Sequence, residues 1–409
     1  MNEALFELSR SYIATKSEPY QRYFIRTTPI KHRFAIILGE RGIGKTTTLI
    51  QYLLATTHHK QHSDKILYVP VDHFLVRRSS LYALSETFYK FGGKTIAFDE
   101  IHKYPDWSME LKSICDTFPD LKILASGSSA LEIHKGSHDL SRRALTYNMV
   151  GLSLREFIGM KYHIELPVYT LEDLTQHHTQ YAFSIIETLA KHDLKILKIF
   201  KEYLEIGYYP YFREFDRPDE FKLTLEQNLH TTLESDFPAV YPHLTGHSIK
   251  KIKQLVVYLS QEVPFTPNWQ KIRSIVDVGD DRTLKSYFKY LEDANVIAML
   301  SGNNKLKQLE APEKIFLSNT NQLYALTSSQ PNIGTVRETF FFSMLKNLHP
   351  ISTTKQADFA INNELYFEIG GKNKDQKQIK QHDQAYLALD DIEHGTHRRI
   401  PLWLFGFLY

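Results

Sequence analysis

Cysteine is almost absent from the sequence. The single one, Cys115, rules out a disulfide framework and a cluster of cysteine metal ligands. An excess of charge of one sign is missing as well, because 49 lysine and arginine residues offset 47 aspartate and glutamate residues and leave a formal net charge of +2. Since the chain as a whole is no polycation, any binding to nucleic acid has to come from a local basic patch.

Long apolar runs are also lacking. No run approaches the ~20 apolar residues that a helix needs to span a bilayer. The first stretch, MNEALFELSRSYIATK, does not show the basic segment followed by an apolar one that marks a secretory signal. We therefore expect a soluble, cytoplasmic protein with no membrane partner. Its 409 residues, 42% of them hydrophobic, are enough for two or three domains with cores of their own.

The stretch ILGERGIGKTTTL has the features of a loop that holds phosphates, because it contains the pattern G-x-x-x-x-G-K-[ST]. The apolar run RFAIIL before it predicts a buried strand, and TTTLIQYLLAT after it predicts a helix. Glycines let backbone N–H groups approach the phosphates, and a helix N-terminus favours an anion. The predicted phosphate-binding residues are Gly39, Glu40, Arg41, Gly42, Ile43, Gly44, Lys45, Thr46 and Thr47.

Two acidic residues, Asp99 and Glu100, end a second buried strand in KTIAFDEIHKYPDW. The carboxyl end of a strand is where an open α/β sheet places its ligand. We expect Lys45 to contact the β and γ phosphates of a nucleotide, and Thr46 and Asp99 to bind Mg²⁺. Glu100 is placed to polarise the attacking water, and the adjacent acids favour hydrolysis over binding alone.

A third strand, in LKILASGSSALEI, changes abruptly from apolar to small and polar residues, so Ser126, Ser128 or Ser129 is a candidate for contact with the γ-phosphate. Arg142 and Arg143 follow in LSRRALTYNMVGLSLREF. An arginine near the site could stabilise charge in the transition state, either in the same chain or from a neighbouring subunit. The alternative is that both arginines are solvated on a helix or loop.

Alternation of strands and helices predicts an α/β fold. Strands are expected at 34–38, 65–71, 95–99, 122–127 and 146–151, which is typical of a parallel, doubly wound sheet of about five strands with helices on both faces. The predicted domains are a P-loop NTPase core with an N-terminal helix at 1–158, a helical lid and linker at 159–245, a winged helix at 246–310 and an α/β endonuclease-like C-terminal domain at 311–409.

The winged helix is predicted from three amphipathic segments, SIKKIKQLVVYLSQ, NWQKIRSIVDVG and DDRTLKSYFKYLEDAN, followed by two strands around a turn at 302–304. Glu292 and Asp293 weaken the positive face of the third helix, so the alternative is a winged helix that only joins two domains. The exposed residues of that helix that could contact DNA phosphates are Arg282, Lys285, Ser286 and Lys289.

The last hundred residues carry an incomplete nuclease pattern. Glu338 on a predicted helix, with Asp358 and Glu368 on predicted strands, matches the metal site of restriction-endonuclease-like folds. Gly370 stands where such sites have a lysine. Lys372 would lie ~13 Å from Glu368 on an ideal strand, unless a bulge brought it back. We therefore predict a degenerate site that does not cleave DNA.

A series of motifs resembles one known family. The segments GERGIGKTTTL, FDEIHKYPDW, SGSSALEI, LSRRA, LSLREF, GYYPYF, YLEDANVI, FEIGGKNK and IPLWLFGFLY occur in this order over nearly the whole chain. They resemble prokaryotic ATPases of the AAA superfamily whose C-terminal domain of unknown function has an endonuclease-like core. The resemblance implies ATP binding at Lys45 and Thr46, and metal and water roles at Asp99 and Glu100.

The resemblance also implies a sensor role at or near Ser128. It assigns the family's arginine position to Arg143, while Arg142 stands where a glycine is usual. Three functions follow as expectations: an ATP-driven switch that controls a partner protein, DNA or another copy of the chain; an ATP-gated, metal-dependent nuclease; and a DNA-binding regulator that only binds nucleotide. The switch is the expectation that we carry forward.

Overall fold

The structure is a computed structural model that describes residues 3–58, 63–127, 140, 142–241, 243–301, 312–327, 329–375 and 382–409. The chain divides into two compact units, Met1–Gly151 and Leu152–Tyr409. The predicted boundary after residue 158 therefore lies close to the boundary between the units. The further division of the second unit into a lid, a winged helix and a C-terminal domain stays a prediction.

The first unit is built on a five-stranded parallel sheet, as predicted. Its strands are β1 (Phe34–Leu38), β2 (Ile66–Pro70), β3 (Thr95–Asp99), β4 (Lys122–Gly127) and β5 (Leu145–Asn148), in the spatial order β2-β3-β4-β1-β5. The residues of β1, β2 and β3 are buried throughout, which explains their unbroken apolar runs. The edge strand β5 is largely exposed.

This strand order places the candidate residues. All neighbouring strands are parallel, so their carboxyl ends share one edge of the sheet. Because β4 lies between β1 and β3, its end is beside both the glycine-rich loop and the acidic pair. The helices of this unit are α1 (Glu3–Lys16), α2 (Tyr23–Thr27), α3 (Lys45–Ala55), α4 (Leu81–Lys90) and α5 (Trp107–Thr117).

The second unit begins with helices. They are α6 (Leu154–Tyr162), α7 (Leu171–Ala190), α8 (Ile196–Ile206), α9 (Pro218–Thr231), α10 (Phe237–Val240), α11 (Gly246–Glu262), α12 (Trp269–Val276), α13 (Asp281–Asp293), α14 (Thr320–Leu326) and α15 (Ile333–Leu345). The last of the three helices predicted for the winged helix is α13, and its N-cap is Asp280, which accepts from the Thr283 N–H.

Two sheets follow in this unit. In the first, β6 (Ile297–Leu300) pairs antiparallel with β7 (Lys314–Leu317). The predicted turn at 302–304 and the strand expected directly after it lie outside the described residues. The partner strand that the structure does show, β7, lies beyond the predicted domain boundary at residue 310, so this pair crosses that boundary.

The other sheet is mixed and has the order β12-β11-β10-β9-β8. Its members are β8 (Ile351–Ser352), β9 (Phe359–Ile361), β10 (Leu365–Gly370), β11 (Ala385–Leu389) and β12 (Arg399–Pro401). The strands from β10 to β12 are parallel, and β8 and β9 run antiparallel to their neighbours.

At its end the chain forms a short strand followed by a 3₁₀-helix over Leu402–Phe407. All residues of this helix are buried. Gly406 is required by a close approach, since a Cβ atom there would lie 2.5 Å from the Cβ atom of Leu154.

Buried Asn321 connects two helices of the second unit and gives a test of the packing. Its amide donates to the carbonyls of Tyr203 and Leu204 at 3.1 and 3.0 Å, and its oxygen accepts from the Tyr208 N–H at 2.8 Å. We expect Asn321→Ala to lower the free energy of unfolding by about 2–4 kcal/mol, because the Tyr208 N–H loses this acceptor and two buried carbonyls each lose a donor. Urea denaturation followed by circular dichroism measures this change.

The control is Gln227→Ala, at an exposed position of α9. It should leave the unfolding midpoint unchanged. A midpoint for Asn321→Ala equal to that of the parent would show that water replaces the asparagine without loss.

Candidate nucleotide-binding site

The glycine-rich loop connects β1 to α3 with a tight turn. A Cβ atom on Gly39 would lie 2.4 Å from both the Ile43 Cδ1 atom and the Met149 carbonyl oxygen, so no other residue fits there. Gly44, directly before α3, has a left-handed φ of 95°. The loop therefore ends at a helix N-terminus, where backbone N–H groups are available to an anion. The remaining predicted loop members differ in burial: Glu40 and Ile43 are buried, Gly42 and Thr47 are half-buried, and Arg41 is exposed.

Lys45 is held inside this loop. It is 4% exposed, and its ammonium donates to the carbonyls of Gly39 at 3.0 Å and Glu40 at 2.8 Å. Burial lowers the pKa of Lys45, and the nearby charges of Glu100 and Asp99 oppose this shift without cancelling it. A buried ammonium above a loop of this shape is positioned to contact phosphate oxygens.

Asp99 is the centre of a buried hydrogen-bond network. Its Oδ2 atom accepts from Thr46 Oγ1 at 2.6 Å and from Tyr68 Oη at 2.5 Å. Its Oδ1 atom accepts from the hydroxyl of Ser126. Thr46 and Asp99, the predicted Mg²⁺ ligands, are thus brought together. Burial and the charge of Asp99 raise the pKa of Tyr68, which keeps this phenol a donor.

Glu100 adopts a left-handed backbone conformation with φ 55° and ψ 42°. Its N–H donates to the Ser126 hydroxyl at 3.1 Å, which links the two acidic residues. Its carboxylate lies 3.5 Å from His102 Nε2 and 3.7 Å from Lys103 Nζ. Burial acts to raise the pKa of Glu100, but the positive charges beside it, of which Lys45 has the largest effect, outweigh burial and lower it, so this group is ionised at neutral pH.

The basic residues beside Glu100 have different charges. Burial lowers the pKa of His102 to about 4, against the opposing charge of Glu100, so His102 is neutral at pH 7. Lys103 pairs with Asp72 at 2.8 Å. Burial acts to lower the pKa of Lys103, but the hydrogen bond that Lys103 donates to Asp72 and the charge of Glu100 outweigh burial and raise it, so Lys103 remains a cation.

Two further residues shape the site and were not predicted. Tyr68 is a hydroxyl in the apolar strand KILYVPV, and that contrast is the signal that could have identified it. Arg22 is 5% exposed and donates to the carbonyl of Ile43 in the loop at 2.9 Å and to the carbonyl of Gly151 at 2.7 Å. The local sequence gives no signal for Arg22, because its partners lie far along the chain.

The remaining predicted residues of this unit are placed differently. Ser128 and Ser129 lie outside the described residues. Arg143 forms a bidentate ion pair with Asp116, at 2.6 and 2.9 Å, at the carboxyl end of α5. This end of α5 leads into β4, and Arg143 itself precedes β5, so Arg143 lies at the amino end of the strands, opposite the glycine-rich loop. Arg142 is exposed.

In the second unit, the three predicted acids come together with two lysines. Lys314 lies 3.2 Å from Glu338 and 3.9 Å from Asp358, and Lys374 lies 2.6 Å from Glu368. Burial raises the pKa of Glu338, and the charges of Asp358 and Glu368 add to this, while Lys314 opposes it. Among the described residues, no group of three or more histidine, cysteine or acidic residues is arranged to hold a metal ion.

The lysine that contacts Glu368 is Lys374, which was not predicted, whereas Lys372 was expected to lie too far away on an ideal strand. Gly370 makes this possible, since a Cβ atom there would lie 2.7 Å from the Cβ atom of Lys374. The side chain of Lys372 is exposed, and its backbone carbonyl accepts from Arg399 at 2.8 Å. The close approach at Gly370 therefore brings Lys374, and not Lys372, towards Glu368.

The basic residues predicted to contact DNA are partly paired on α13. Lys289 lies 2.7 Å from Asp293 and 3.6 Å from Glu292, and Lys285 lies 5.8 Å from the ring centre of Trp269. Arg282 is exposed. The acids that were expected to weaken this face therefore contact one of its cations. DNA binding here stays a prediction.

Two segments of the chain match known family models. Residues 31–158 match the family model of an AAA domain, and residues 197–332 match a family described as a domain of unknown function. No curated protein matches the sequence. Across the described residues, no helix has the length and apolar character to cross a membrane.

Solved structures are similar only at low identity. The Walker-type ATPase PABY2304 of Pyrococcus abyssi is 12% identical, with a TM-score of 0.37; the match covers 78% of this chain and 95% of that one. AMPPCP-bound DnaA from Aquifex aeolicus is 15% identical, with a TM-score of 0.26; the match covers 71% of this chain and 88% of that one. Residues 31–158 therefore match an AAA domain, and the same residues contain the glycine-rich loop pattern of a P-loop NTPase.

Proposed function

We propose that this chain binds ATP with Mg²⁺ at the glycine-rich loop, hydrolyses it, and uses the nucleotide state as a switch. The observation that carries the proposal is the 2.6 Å hydrogen bond from the Thr46 hydroxyl to the Asp99 carboxylate. Thr46 directly follows the buried Lys45 in the sequence. A hydroxyl and a carboxylate are oxygen ligands of the kind that Mg²⁺ takes beside phosphates. When bound, the ion would neutralise charge that develops on the phosphates.

The side chains have separate roles in this proposal. The loop N–H groups and Lys45 bind the β and γ phosphates. Thr46 and Asp99 hold the ion, and Tyr68 and Ser126 fix the orientation of Asp99. Ionised Glu100 accepts a hydrogen bond from the attacking water and orients it towards the γ-phosphate.

The proposal assigns Arg143 to a neighbouring copy of the chain. Arg143 lies at the amino end of the strands and is too remote to reach the loop of its own chain. Of its two expected roles, we therefore keep only the one in which it acts on a neighbouring subunit. Ser128 keeps its proposed role at the γ-phosphate, because Ser126 is already engaged by Asp99 and by the Glu100 N–H. The partner that the switch controls is a protein, DNA at the α13 face, or a second copy.

The C-terminal acids are proposed to be a salt-bridged structural cluster within an endonuclease-like fold, not a nuclease centre. Lys314 and Lys374 supply positive charge where a nuclease would place a metal ion. Two cations against three carboxylates leave little charge to attract a divalent ion.

The ATPase proposal predicts different defects for two variants. Lys45→Ala should abolish tight ATP binding, because the cation that faces the phosphates is removed. Glu100→Gln should retain ATP binding and reduce hydrolysis by about 100-fold or more, since only the group that orients water is lost. Nucleotide binding by fluorescence and phosphate release, with and without DNA, measure both effects.

The matched control is Glu86→Gln, which changes a solvent-accessible glutamate on α4 that pairs with Lys90. It should hydrolyse ATP like the parent. Parent-like hydrolysis by Glu100→Gln would show that another group orients the water.

Tyr68→Phe tests the network around Asp99. Loss of one hydroxyl donor should weaken Mg²⁺-dependent hydrolysis by about 10–100-fold, as for other groups that orient a metal ligand. ATP binding in EDTA should not change, because Tyr68 does not contact the loop lysine. Tyr12→Phe is the control, since Tyr12 stacks on Tyr68 with ring centres 5.2 Å apart. Equal magnesium dependence in both variants would contradict the assigned role.

The cluster proposal predicts that Lys374→Ala lowers the free energy of unfolding by about 1–3 kcal/mol, because buried Glu368 loses its partner while Lys374 itself is partly solvated. Lys372→Ala, the matched control two residues away, should change it by less than about 0.5 kcal/mol. Urea denaturation compares the two.

Plasmid and linear DNA incubated with the parent, ATP and Mg²⁺ or Mn²⁺ should remain intact. Cleavage that disappears in Asp358→Ala and Glu368→Ala would replace the structural cluster with an ATP-gated nuclease.

A further inference from the structure

The helix α1 covers the outer edge of the parallel sheet in the first unit. Within the described residues β2 pairs with β3 alone, and α1 packs against β2. The N–H of Tyr68, in the middle of β2, donates to the hydroxyl oxygen of Ser9 on α1 at 2.9 Å. An edge strand presents backbone groups that need partners, so Ser9 takes the place of a carbonyl on a further strand.

A second contact from α1 reaches the side chain of the same tyrosine. The ring of Tyr12 stacks on the ring of Tyr68, with centres 5.2 Å apart and an angle of 28° between the planes. Ser9 and Tyr12 are three residues apart and thus lie on one face of the helix. Ser9 and Tyr68 are 2% and 1% exposed, so water has little access to the hydrogen bond between them. The helix therefore fixes Tyr68 both at its backbone and at its ring.

The other end of Tyr68 belongs to the candidate nucleotide-binding site. Its hydroxyl donates to Asp99 Oδ2 at 2.5 Å, and the same oxygen accepts from the Thr46 hydroxyl at 2.6 Å. A side chain holds a functional group accurately when its own rotamer is locked by packing and hydrogen bonds. With its backbone and ring held by α1, Tyr68 presents its hydroxyl to Asp99 from one fixed position. A continuous series of contacts thus connects α1 to the two proposed ligands of Mg²⁺.

The attachment of α1 to the sheet is a narrow stripe. Of its 14 residues, Leu5, Ser9 and Ile13 are buried, and Phe6 and Leu8 are partly buried against the core. Elements with few buried apolar contacts open at a lower free energy than the core, and elements that move in regulation are drawn from this group. Since Ser9 is one of three buried residues, its bond to Tyr68 is a substantial part of what holds α1 in place.

We propose that Ser9 and Tyr12 are positioning residues for the magnesium site, and that the docking of α1 on β2 regulates ATP hydrolysis through Tyr68. The inference rests on the ATPase function proposed above and adds a regulatory element to that site. When α1 is docked, the Tyr68 hydroxyl stabilises the orientation of the Asp99 carboxylate. When α1 moves away, the Tyr68 N–H loses its acceptor and the ring loses its stacking partner, so the hydroxyl no longer has a fixed position on Asp99.

The coupling acts in both directions. A coupling free energy between two sites is reciprocal, so docked α1 strengthens the binding of Mg²⁺ by the same factor by which bound Mg²⁺ strengthens the docking of α1. The outer face of α1, which carries the exposed residues Glu3, Glu7 and Lys16, is thereby linked to the nucleotide state.

The first measurement is the Mg²⁺ concentration that gives half-maximal hydrolysis at saturating ATP. We expect Ser9→Ala and Tyr12→Ala each to raise this concentration by about 3–10-fold, less than a group that contacts a metal ligand directly, because both residues act through Tyr68. ATP affinity in EDTA should equal that of the parent. Tyr12→Phe should restore the parent value, since it keeps the stacked ring.

The matched control for Ser9→Ala is Ser85→Ala. Ser85 is also a buried serine on a helix of this unit, but its hydroxyl donates to the Leu81 carbonyl at 2.8 Å, within α4. Both substitutions remove the same atom from a buried helical position, so a loss of stability alone should act in both variants. We expect Ser85→Ala to need the same Mg²⁺ concentration as the parent. An equal rise in the two variants would overturn the role of Ser9.

The second measurement does not depend on hydrolysis. Hydrogen exchange of peptides from α1, followed by mass spectrometry, compares the protein with the non-hydrolysable analogue AMPPCP and Mg²⁺ to the protein with AMPPCP and EDTA. In the parent, Mg²⁺ should slow this exchange by about 3–10-fold, since the coupling is reciprocal. In Ser9→Ala the slowing should disappear, whereas in Ser85→Ala it should remain.

Two results would overturn the inference and leave the ATPase function standing. One is a Mg²⁺ requirement of Ser9→Ala and Tyr12→Ala equal to that of the parent. The other is exchange of α1 that Mg²⁺ does not change in a parent that hydrolyses ATP. Failure of the ATPase proposal gives a different pattern, in which the parent releases no phosphate, and this result overturns both proposals at once.

Discussion

The buried carboxylate of Asp99 is the group on which the arrangement of the nucleotide-binding unit depends. A carboxylate that is buried away from solvent requires several hydrogen-bond donors. The donors to Asp99 come from α3, β2 and β4. These three elements surround β3, so satisfying one charge fixes the start of the loop helix relative to its neighbouring strands. Ser126 extends the constraint to Glu100 by accepting its N–H.

Lys45 and Glu100 are side chains of opposite charge, and burial disfavours the charged form of each. Each would be destabilised as an isolated buried charge, and each lies in the field of the other. The loop carbonyls satisfy the ammonium of Lys45, while Lys103 and neutral His102 lie beside the carboxylate of Glu100. The site therefore brings a buried lysine and a carboxylate of opposite sign into one small volume, and our proposal assigns the first to the phosphates and the second to the attacking water.

The features that sequence could predict are those that depend on local pattern. The loop glycines, Lys45, Thr46 and the acidic pair follow from short spacings, and buried parallel strands follow from unbroken apolar runs. Tyr68 and Arg22 were missed because their roles depend on which strands and loops become neighbours. Lys374 was missed for a different reason: distance along an ideal strand excluded Lys372 correctly, but the return of the chain after Gly370 depends on a backbone path that strand geometry does not describe.

The two acidic clusters differ in the donors that satisfy them, and the different functions that we propose for them follow from this difference. Around Asp99 the donors are hydroxyls of Thr46, Tyr68 and Ser126, which stabilise the carboxylate without removing its charge. Around Glu338, Asp358 and Glu368 the partners include two ammonium groups, those of Lys314 and Lys374, beside the Ile369 N–H that donates to Asp358. A divalent ion is attracted by net negative charge. It also needs oxygen ligands whose hydrogen bonds to weak donors it can replace. The neutral donors support our proposal that the first cluster takes a metal ion, whereas the second has its counter-ions built into the chain.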